Sequence, residues 1–329
     1  MNNAKKKPLL SICIPTFNRA KYLDKCFSSI VNQDTYSLGD IEIVVSDNAS
    51  TDDTESVVKK FQEKYRNIVY SKNLENVRDV NFPIAISIAN GVFRKLYNDT
   101  SVFTDKSLSI IINSVKDNIS QKPVLCFLNG NNQLIRDNYC LLTNFDEFVE
   151  TVSYWSTWIG LFGIWEEDFN LLQNKNSGCE LSLWQTFTLF EMIQKKKRTV
   201  INNIKLVELQ LVEKKDLSYG VFKVFGINYL SLYKPHLEAN DLSNKVFTNE
   251  KKRLLFNFFS IWLFEYEINR DKFLLNQKEN PNLILSSIYG HSGYYRLFKI
   301  KMYLRILYVK IKKRMYRVIE KLMGVNIEH

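Results

Sequence analysis

The chain has few of the residues on which disulfide-rich domains, zinc sites and flexible linkers depend. Its 329 residues include five cysteines, three histidines, six prolines and eleven glycines. The cysteines are scattered with no CxxC pair, which predicts buried thiols in a reducing compartment. The histidines lie far apart and have no ligand spacing, which argues against zinc and against a histidine base. Few glycines and prolines, with 45% hydrophobic and 24% charged residues, indicate an ordered globular protein.

Long apolar runs and export signals are also missing. The longest apolar run near the C-terminus, residues 254–264, is too short for a membrane span of about 20 residues. The basic N-terminal stretch has a short apolar run and no small-residue cleavage signal, so we expect no signal peptide and a cytoplasmic location. No GxSxG, Walker A or GxGxxG pattern lies near the predicted strands, which argues against a hydrolase, a P-loop NTPase and a dinucleotide oxidoreductase.

The first part of the chain alternates strands with helices. Residues 9–15 form an almost unbroken apolar run and residues 41–46 repeat it with β-branched residues, as parallel strands covered on both faces do. We therefore predict an α/β fold with a mostly parallel sheet flanked by helices. Further strands are predicted at 67–73, within 92–103, at 123–130 and at 199–212, and helices at 52–65, from near Pro83, at 105–119 and at 180–195.

Polar residues follow the first two predicted strands. Thr16, Asn18 and Arg19 come after the first strand, and Asp47 and Asn48 come after the second. In open α/β sheets, small ligands bind at the carboxyl ends of the strands. The sequence therefore predicts a nucleotide site at this edge of the sheet.

These segments resemble a known enzyme family. The stretch ICIPTFNRAKYLDKCFSSIVNQ, followed by VVSDNASTDDT, is similar to the amino-terminal half of family 2 glycosyltransferases, which are inverting nucleotide-sugar enzymes with the GT-A fold. Within that family the chain is most similar to bacterial surface-polysaccharide transferases. The resemblance spans roughly residues 9–108 and becomes loose beyond them. It implies a GT-A nucleotide-diphospho-sugar transferase domain with a helical C-terminal extension.

The resemblance implies roles for individual residues. Asp47, with Asn48 beside it, matches the acid that typically hydrogen-bonds the nucleobase, and Arg19 is also placed to approach phosphate. In the alternative interpretation, the side chains of Asp47, Asn48 and Ser50 merely cap the helix predicted from residue 52. These residue types are favoured at helix caps, and capping is compatible with nucleotide binding. The family's first nucleotide loop is matched by Pro15, Thr16, Asn18 and Arg19.

The segment KLYNDTSVF aligns with the place where many relatives carry an Asp-x-Asp or Asp-Asp-Asp motif that holds a divalent cation. Here Asn98, Asp99, Thr100 and Ser101 leave one acid. Mg²⁺ and Mn²⁺ prefer carboxylate and phosphate oxygens. Asp99, with the diphosphate and waters, is therefore predicted to bind such a cation, more weakly than two carboxylates do. The alternative is an ordinary turn at 98–100.

Arg78 lies where the family often has an asparagine-rich loop running along the donor sugar and phosphates. An arginine there supplements a depleted metal site by pairing with phosphate oxygens. In the alternative interpretation, Arg78 and the neighbouring Asn76, Asp79 and Asn81 are solvated loop and helix-cap residues.

A general base is expected at the helix that follows the acceptor loop. Glu180, in GCELSLWQTF, has the position that the resemblance favours, and the acidic run 166–168 is the rival. An acid at a helix start is also what the helix dipole prefers without any catalysis. Trp155, Trp158 and Trp165 are either an acceptor platform or part of the core.

The excess positive charge of the chain is concentrated near its C-terminus. Residues 294–323 carry ten cations against the single acid Glu320. A basic amphipathic helix of this kind predicts binding to an anionic membrane surface, where each cation is worth roughly 1 kcal/mol. In the first alternative, the apolar stripe of the helix packs on the catalytic domain. In the second and least favoured alternative, the basic helix binds nucleic acid. The stripe consists of Leu297, Ile300, Leu304, Leu307, Ile311, Met315, Val318 and Leu322.

Taken with the resemblance, the sequence predicts a glycosyltransferase domain at 1–225 and a helical region at 226–329. The implied partners are a nucleotide-sugar donor and a glycan or lipid-linked glycan acceptor of a bacterial capsule, O-antigen or other surface glycan. The implied location is peripheral, at the inner face of the cell membrane. Because two of three acids are replaced at the metal loop, a noncatalytic nucleotide-sugar-binding or scaffold protein of a polysaccharide assembly complex is the alternative.

Overall fold

A computed structural model describes residues 7–133, 135, 137–213, 215–276 and 278–323 of the chain. Its contacts divide the chain into two compact units. The first unit comprises the residues up to 212 together with 235–243, and the second comprises 213–234 and the residues from 244 onward. The domain assignment of 1–225 and 226–329 stays a prediction.

The first unit alternates strands and helices along the chain. Its helices are α1 (Ala20–Val31), α2 (Thr54–Gln62), α3 (Asn81–Ser87), α4 (Ser107–Asn118), α5 (Phe145–Val152), α6 (Glu166–Asn170) and α7 (Trp184–Lys196). Its strands are β1 (Leu10–Thr16), β2 (Ile41–Asp47), β3 (Ile68–Lys72), β4 (Phe93–Leu96), β5 (Ser101–Phe103), β6 (Val124–Phe127), β7 (Tyr139–Leu142), β8 (Gly163–Trp165), β9 (Thr199–Asn202) and β10 (Val207–Leu209).

The main sheet has the strand order β3-β2-β1-β4-β8, and its strands are parallel except for β8, which runs antiparallel to β4. Every residue of β2 is buried, as expected for a parallel strand covered on both faces. Helices α1 and α2 contribute to one side of the core, where the rings of Phe27 and Phe61 meet edge to face at 5.2 Å. The predicted mostly parallel sheet flanked by helices is confirmed.

Two smaller sheets complete the first unit. Strands β6, β9 and β7 form one of them, with β9 parallel to β6 and antiparallel to β7. Strand β5 pairs with β10. The strand predicted within 92–103 is therefore two strands, β4 and β5, which pair with different partners and are separated by the turn at residues 97–100.

Two predicted helix starts differ from the structure. The helix predicted at 180–195 begins at Trp184, and Glu180 lies before it in the short 3₁₀ turn Cys179–Leu181. Ser182 has φ of 55°, a left-handed conformation that interrupts the helical backbone. Helix α3 begins at Asn81, and Pro83 lies in its first turn, where its missing N–H removes no helical hydrogen bond.

The second unit is mainly helical, as predicted. Among the described residues, no helix is both long and apolar enough to cross a membrane. Strands β11 (Lys215–Leu217) and β12 (Phe273–Leu275) form a parallel pair. The helices of the second unit are α8 (Tyr229–Ser231), α10 (Asn244–Arg253), α11 (Ser260–Ile268), α12 (Pro281–Tyr289) and α13 (Gly293–Met323). Helix α9 (Lys234–Glu238) belongs, except for its first residue, to the segment 235–243 of the first unit.

Helix α13 has two apolar faces. Tyr295, Phe298 and Met302 are buried on one face. At 100° per residue the opposite face carries the stripe named from the sequence, and its described side chains are 37–60% exposed. Those exposed residues are Leu297, Ile300, Leu304, Leu307, Ile311 and Met315, whereas the side chains of Val318 and Leu322 lie outside the described part.

A lysine lies in the core of the first unit. The side chain of Lys95 on β4 is buried, donates to the backbone carbonyl of Gly160, and lies 4.7 Å from the ring centre of Phe127. Burial lowers the pKa of Lys95 to about 7 because the charged form loses its hydration. The folded protein therefore carries an unfavourable buried charge at and below neutral pH.

Replacing Lys95 by methionine should remove a pH dependence of stability. Lysine keeps its proton up to a pKa of 10.5 in the unfolded chain but releases it near 7 in the folded protein. Between these values the unfolded state binds more protons, so the free energy of unfolding rises with pH. We expect Lys95→Met to flatten this rise and to be more stable than wild type at neutral pH, as measured by urea unfolding across that range. The exposed Lys64→Met is the control, and an unchanged slope in Lys95→Met would contradict the assignment.

Candidate functional site

Three sequence-predicted residues meet at the carboxyl edge of the main sheet. Thr16 and Asp47 are register partners at the ends of β1 and β2. The backbone N–H of Tyr97 donates to Cys13 at 2.8 Å, which continues the pairing of β4 with β1 and places Asp99 beside the end of β1. There the Thr16 hydroxyl donates to Oδ2 of Asp99 at 2.9 Å. The structure therefore brings the first loop and the predicted metal loop into direct contact.

Asp99 is 9% exposed. Its burial raises the pKa of this carboxyl to about 6, against the opposing effects of the nearby Arg19 charge and the Thr16 hydrogen bond. The turn around Asp99 is closed by Asn98, whose Oδ1 accepts from the backbone N–H of Thr100 at 3.1 Å and from the Thr100 hydroxyl at 2.9 Å. Asn98 therefore shapes the turn that presents Asp99.

Asp47 is fully buried and both of its carboxylate oxygens are engaged. Its Oδ1 accepts from the backbone N–H of Ser50 at 2.8 Å, and its Oδ2 accepts from the Tyr70 hydroxyl at 2.7 Å. The alternative that Asp47, Asn48 and Ser50 cap the helix is wrong. The side chain that accepts from the backbone N–H of Thr54, at the start of α2, is that of Asp52. Tyr70, on β3, is a contact that the sequence pattern did not reveal.

Asn48 organises the loop that follows β3. Its Nδ2 donates to Asn76 Oδ1 at 2.9 Å and to the carbonyl of Arg78 at 3.3 Å, and its Oδ1 accepts from the backbone N–H of Val77 at 2.8 Å. Arg78 has φ of 53° and an exposed side chain. The predicted nucleotide residue Asn48 therefore uses its amide to hold the asparagine-rich loop against the end of β2.

The loops after β1 and β2 are joined by Asn18. Its backbone N–H donates to Ser50 Oγ at 2.9 Å and its Oδ1 accepts from the backbone N–H of Thr51 at 2.8 Å. Pro15, half-buried, lies one residue before the end of β1. Arg19, also half-buried, precedes α1, and its guanidinium carbon lies 5.8 Å from the ring centre of Tyr22.

Glu180 is exposed, and its carboxylate accepts from the backbone N–H of Gly178 at 3.0 Å. The short turn that carries Glu180 contacts the 3₁₀ turn Arg78–Val80, so the two predicted loops are neighbours. This contact could not be predicted from a local pattern, because the two turns are about a hundred residues apart.

The rival acidic run lies elsewhere. Glu166 follows β8 and its backbone N–H donates to Val92, at the amino end of β4, the end opposite Asp99. Glu166 also forms an ion pair with Arg94 at 2.9 Å. The neighbouring Glu167 and Asp168 pair with Lys122 and Lys196. Trp165 is core, stacked edge to face on Phe93 at 4.9 Å, whereas Trp155 and Trp158 are half-buried.

The residues at Asp99 fit a divalent cation poorly. Among the described residues, no three Asp, Glu, His or Cys side chains lie together in a way that would hold a metal ion. Asp99 supplies the single carboxylate of its turn, one of its oxygens already accepts from Thr16, and a guanidinium lies near it. The predicted cation at Asp99 stays a prediction.

Residues 11–118 match the family model described as Glycosyl transferase family 2. They form a glycosyl transferase family 2 domain. Abequosyltransferase RfbV of Salmonella typhimurium is 41% identical over 105 residues, which are 31% of this chain and 31% of that protein. The GalNAc(5)-diNAcBac-PP-undecaprenol beta-1,3-glucosyltransferase of Campylobacter jejuni is 35% identical over 112 residues, 33% of this chain and 35% of that protein. The chain thus spans about a third of the length of these curated relatives.

The fold is also found in a solved glycosyltransferase. The mannosyltransferase PcManGT from Pyrobaculum calidifontis, solved in complex with GDP-Man and Mn²⁺, aligns with a TM-score of 0.54 at 14% identity, covering 93% of this chain and 87% of that one. At this identity the likeness shows the fold alone, and it confirms the predicted GT-A fold. The match to the family domain, which ends at residue 118, includes Asp47 and Asp99 but not Glu180.

Truncating Asn48 should loosen the loop after β3. In Asn48→Ala the loop groups of Asn76, Val77 and Arg78 lose their hydrogen bonds to the Asn48 amide, each worth about 0.5–1.5 kcal/mol. We expect faster amide hydrogen exchange at residues 76–80 with unchanged protection in β1, measured by mass spectrometry. Asn48→Asp keeps the acceptor for Val77 but loses the donor to Asn76, so its protection should be intermediate. Wild-type protection of the loop in Asn48→Ala would contradict this role.

Proposed function

We propose that this chain is an inverting glycosyltransferase that moves a sugar from a nucleotide diphosphate donor to a hydroxyl of a bacterial capsule, O-antigen or other surface glycan. The observation that carries the proposal is the convergence of Thr16, Asp47 and Asp99 at the carboxyl edge of a parallel sheet within a family 2 domain. Two further findings support it: a neighbour in fold was solved with a nucleotide sugar, and relatives are named as glycosyltransferases.

Glycosyl transfer needs a nucleoside clamp, positive charge at the leaving diphosphate and a base for the acceptor hydroxyl. We assign the clamp to Asp47 and the loop from Pro15 to Arg19. An ionised carboxylate only accepts hydrogen bonds, so Asp47 pairs with N–H groups on the edge of a nucleobase. A base with such a group, for example uracil or guanine, meets this requirement at Asp47.

In the proposed reaction the acceptor oxygen attacks the anomeric carbon in line with the bond to the diphosphate, which breaks as the new bond forms, and the configuration inverts. Glu180 takes the proton of the acceptor hydroxyl. Its exposure and the contact of its turn with the turn at residues 78–80 support this role. The ion pairs of Glu166 and its neighbours, at the opposite end of β4, disfavour the rival run.

Removing the Asp99 carboxylate should abolish transfer while leaving the fold intact. We expect Asp99→Ala to lose at least about a hundredfold in turnover, the scale seen when one preorganised electrostatic contact to a reacting group is lost. Nucleotide release from UDP-, GDP-, dTDP- and CMP-sugars measures turnover, and circular dichroism checks the fold. The nearby exposed Asp105→Ala is the control.

Full turnover in Asp99→Ala would remove Asp99 from the mechanism. Nucleotide-sugar binding by wild type without any turnover would favour the noncatalytic alternative. That alternative is motivated by Thr100 and Ser101, which stand where relatives carry acids.

We further propose that the chain works at an anionic membrane surface and binds it through the outward stripe of α13. The exposed side chains of Leu297 to Met315 support this proposal, because they form a continuous apolar face between rows of cations. The relative from C. jejuni is named for an undecaprenol-linked substrate. An acceptor anchored in a bilayer requires its enzyme at that bilayer.

Replacing Ile300, Leu304 and Ile311 together by serine should weaken vesicle binding at least tenfold, because each aliphatic side chain contributes about 1.5–3 kcal/mol when fully buried. The measurement is co-sedimentation with phosphatidylserine–phosphatidylcholine vesicles at low and high salt. These substitutions spare the buried face of α13, which a deletion of the helix would destroy.

The matched control replaces three exposed apolar residues elsewhere in the second unit, Ile261, Leu274 and Leu283, by serine. It should bind vesicles as wild type does. Equal binding by the stripe variant and this control would contradict the membrane proposal, and binding that resists high salt would contradict the contribution of the cations.

A further inference from the structure

Two hydroxyl residues follow Asp99 in the chain. The Thr100 hydroxyl donates to Asn98 within the turn. Ser101 is buried and lines a small cavity inside the first unit with Lys95 and Tyr97, and its Oγ has no hydrogen-bond partner among the described residues. Neither residue supplies a second carboxylate beside Asp99 for a cation.

A positive charge already acts on the Asp99 carboxyl. Arg19 follows β1 on the same loop as Thr16, and its charge acts on the Asp99 carboxyl strongly enough to oppose the effect of burial. A divalent cation at Asp99 is repelled by the Arg19 guanidinium, and this repulsion is weakly screened in a half-buried site. A diphosphate bound at this edge, by contrast, gains from the same guanidinium.

Arg19 is also suited to phosphate by its geometry. Its backbone N–H donates to the Thr54 hydroxyl at 3.3 Å, and its guanidinium carbon lies 5.8 Å from the ring centre of Tyr22. The first contact fixes the backbone of Arg19, and the second places its guanidinium beside a ring before a ligand binds. A guanidinium offers paired N–H donors that match two phosphate oxygens at once.

We propose that Arg19, rather than a divalent cation, neutralises the donor diphosphate, so that this chain binds nucleoside diphosphates without metal. The inference rests on the proposed function and specifies the chemistry of its donor site. In this arrangement the Asp99 carboxylate accepts from the Thr16 hydroxyl and lies within reach of the Arg19 charge.

Calorimetry of the full chain with UDP and with GDP tests the inference, in one buffer with EDTA and in one with Mn²⁺. Wild type should bind at least one of the two nucleotides. Its affinity for that nucleotide should agree within about twofold between the EDTA buffer and the Mn²⁺ buffer. Arg19→Gln should weaken this binding tenfold or more in both buffers, since charge-assisted bonds to phosphate are lost. Arg19→Lys, which keeps the charge but not the paired donors, should lie between.

Arg66→Gln is the matched control, because Arg66 is exposed and precedes β3 at the amino edge of the sheet. It should bind as wild type does. The free nucleoside separates a phosphate contact from a general loss of structure: Arg19→Gln should lose a much larger factor in affinity for UDP or GDP than for uridine or guanosine. Equal losses for the diphosphate and the nucleoside would overturn the inference.

Binding that appears only with Mn²⁺ would overturn the inference and leave the proposed function standing. Equal affinities of Arg19→Gln and wild type for the diphosphate would do the same. Wild type that binds no nucleotide in either buffer, with dTDP and CMP also tried, would overturn the proposed function together with this inference.

Discussion

The site depends on the parallel pairing of β1 with both β2 and β4. Because parallel strands end at the same edge, this pairing brings Thr16, Asp47 and Asp99 together from three separate segments of the chain. The loops beyond the strands are irregular and partly buried, so their backbone groups need partners other than a ladder. Short polar side chains supply them: Asn48 holds the loop after β3, and Asn18 joins the loops after β1 and β2. The same residue types that suggest ligand binding are therefore also the ones that build the binding surface.

The second constraint on the site is electrostatic. Two carboxylates, Asp47 and Asp99, are buried at one edge of the sheet, and each accepts hydrogen bonds from a hydroxyl. Buried carboxylates repel a diphosphate unless positive charge offsets them. The turn after β4 has one acid, and our proposal assigns that positive charge to Arg19, whose charge acts on the Asp99 carboxyl. In this proposal Arg19 takes over a charge that a second and a third acid would otherwise attract as a metal ion.

The sequence predicted what depends on local pattern. Strands β1 and β2 begin and end within one residue of their predicted bounds, because an apolar β-branched run has few alternatives in a parallel sheet. It missed what depends on distant partners, such as the bond from Tyr70 to Asp47. It also placed Glu180 inside a helix, since a left-handed residue at Ser182 carries no composition signal. Strands β11 and β12 have three residues each and lie far apart in the chain. Runs this short show no periodicity from which their pairing could be predicted.

The helical wheel of α13 predicted its exposed apolar face but not its buried face. The exposed stripe is recognisable from its spacing, yet the residues that attach the helix to its own unit are Tyr295, Phe298 and Met302 on the opposite side. Beyond them its described contacts include the ring of Phe264, 4.2 Å from the guanidinium carbon of Arg305, and the 3.4 Å ion pair of Lys310 with Glu267. Exposed ion pairs of this kind contribute at most about 1 kcal/mol. The described side chains of the stripe stay 37–60% exposed. A continuous exposed apolar face is typical of a surface that another phase or molecule covers. The cations on its flanks favour an anionic bilayer as that phase.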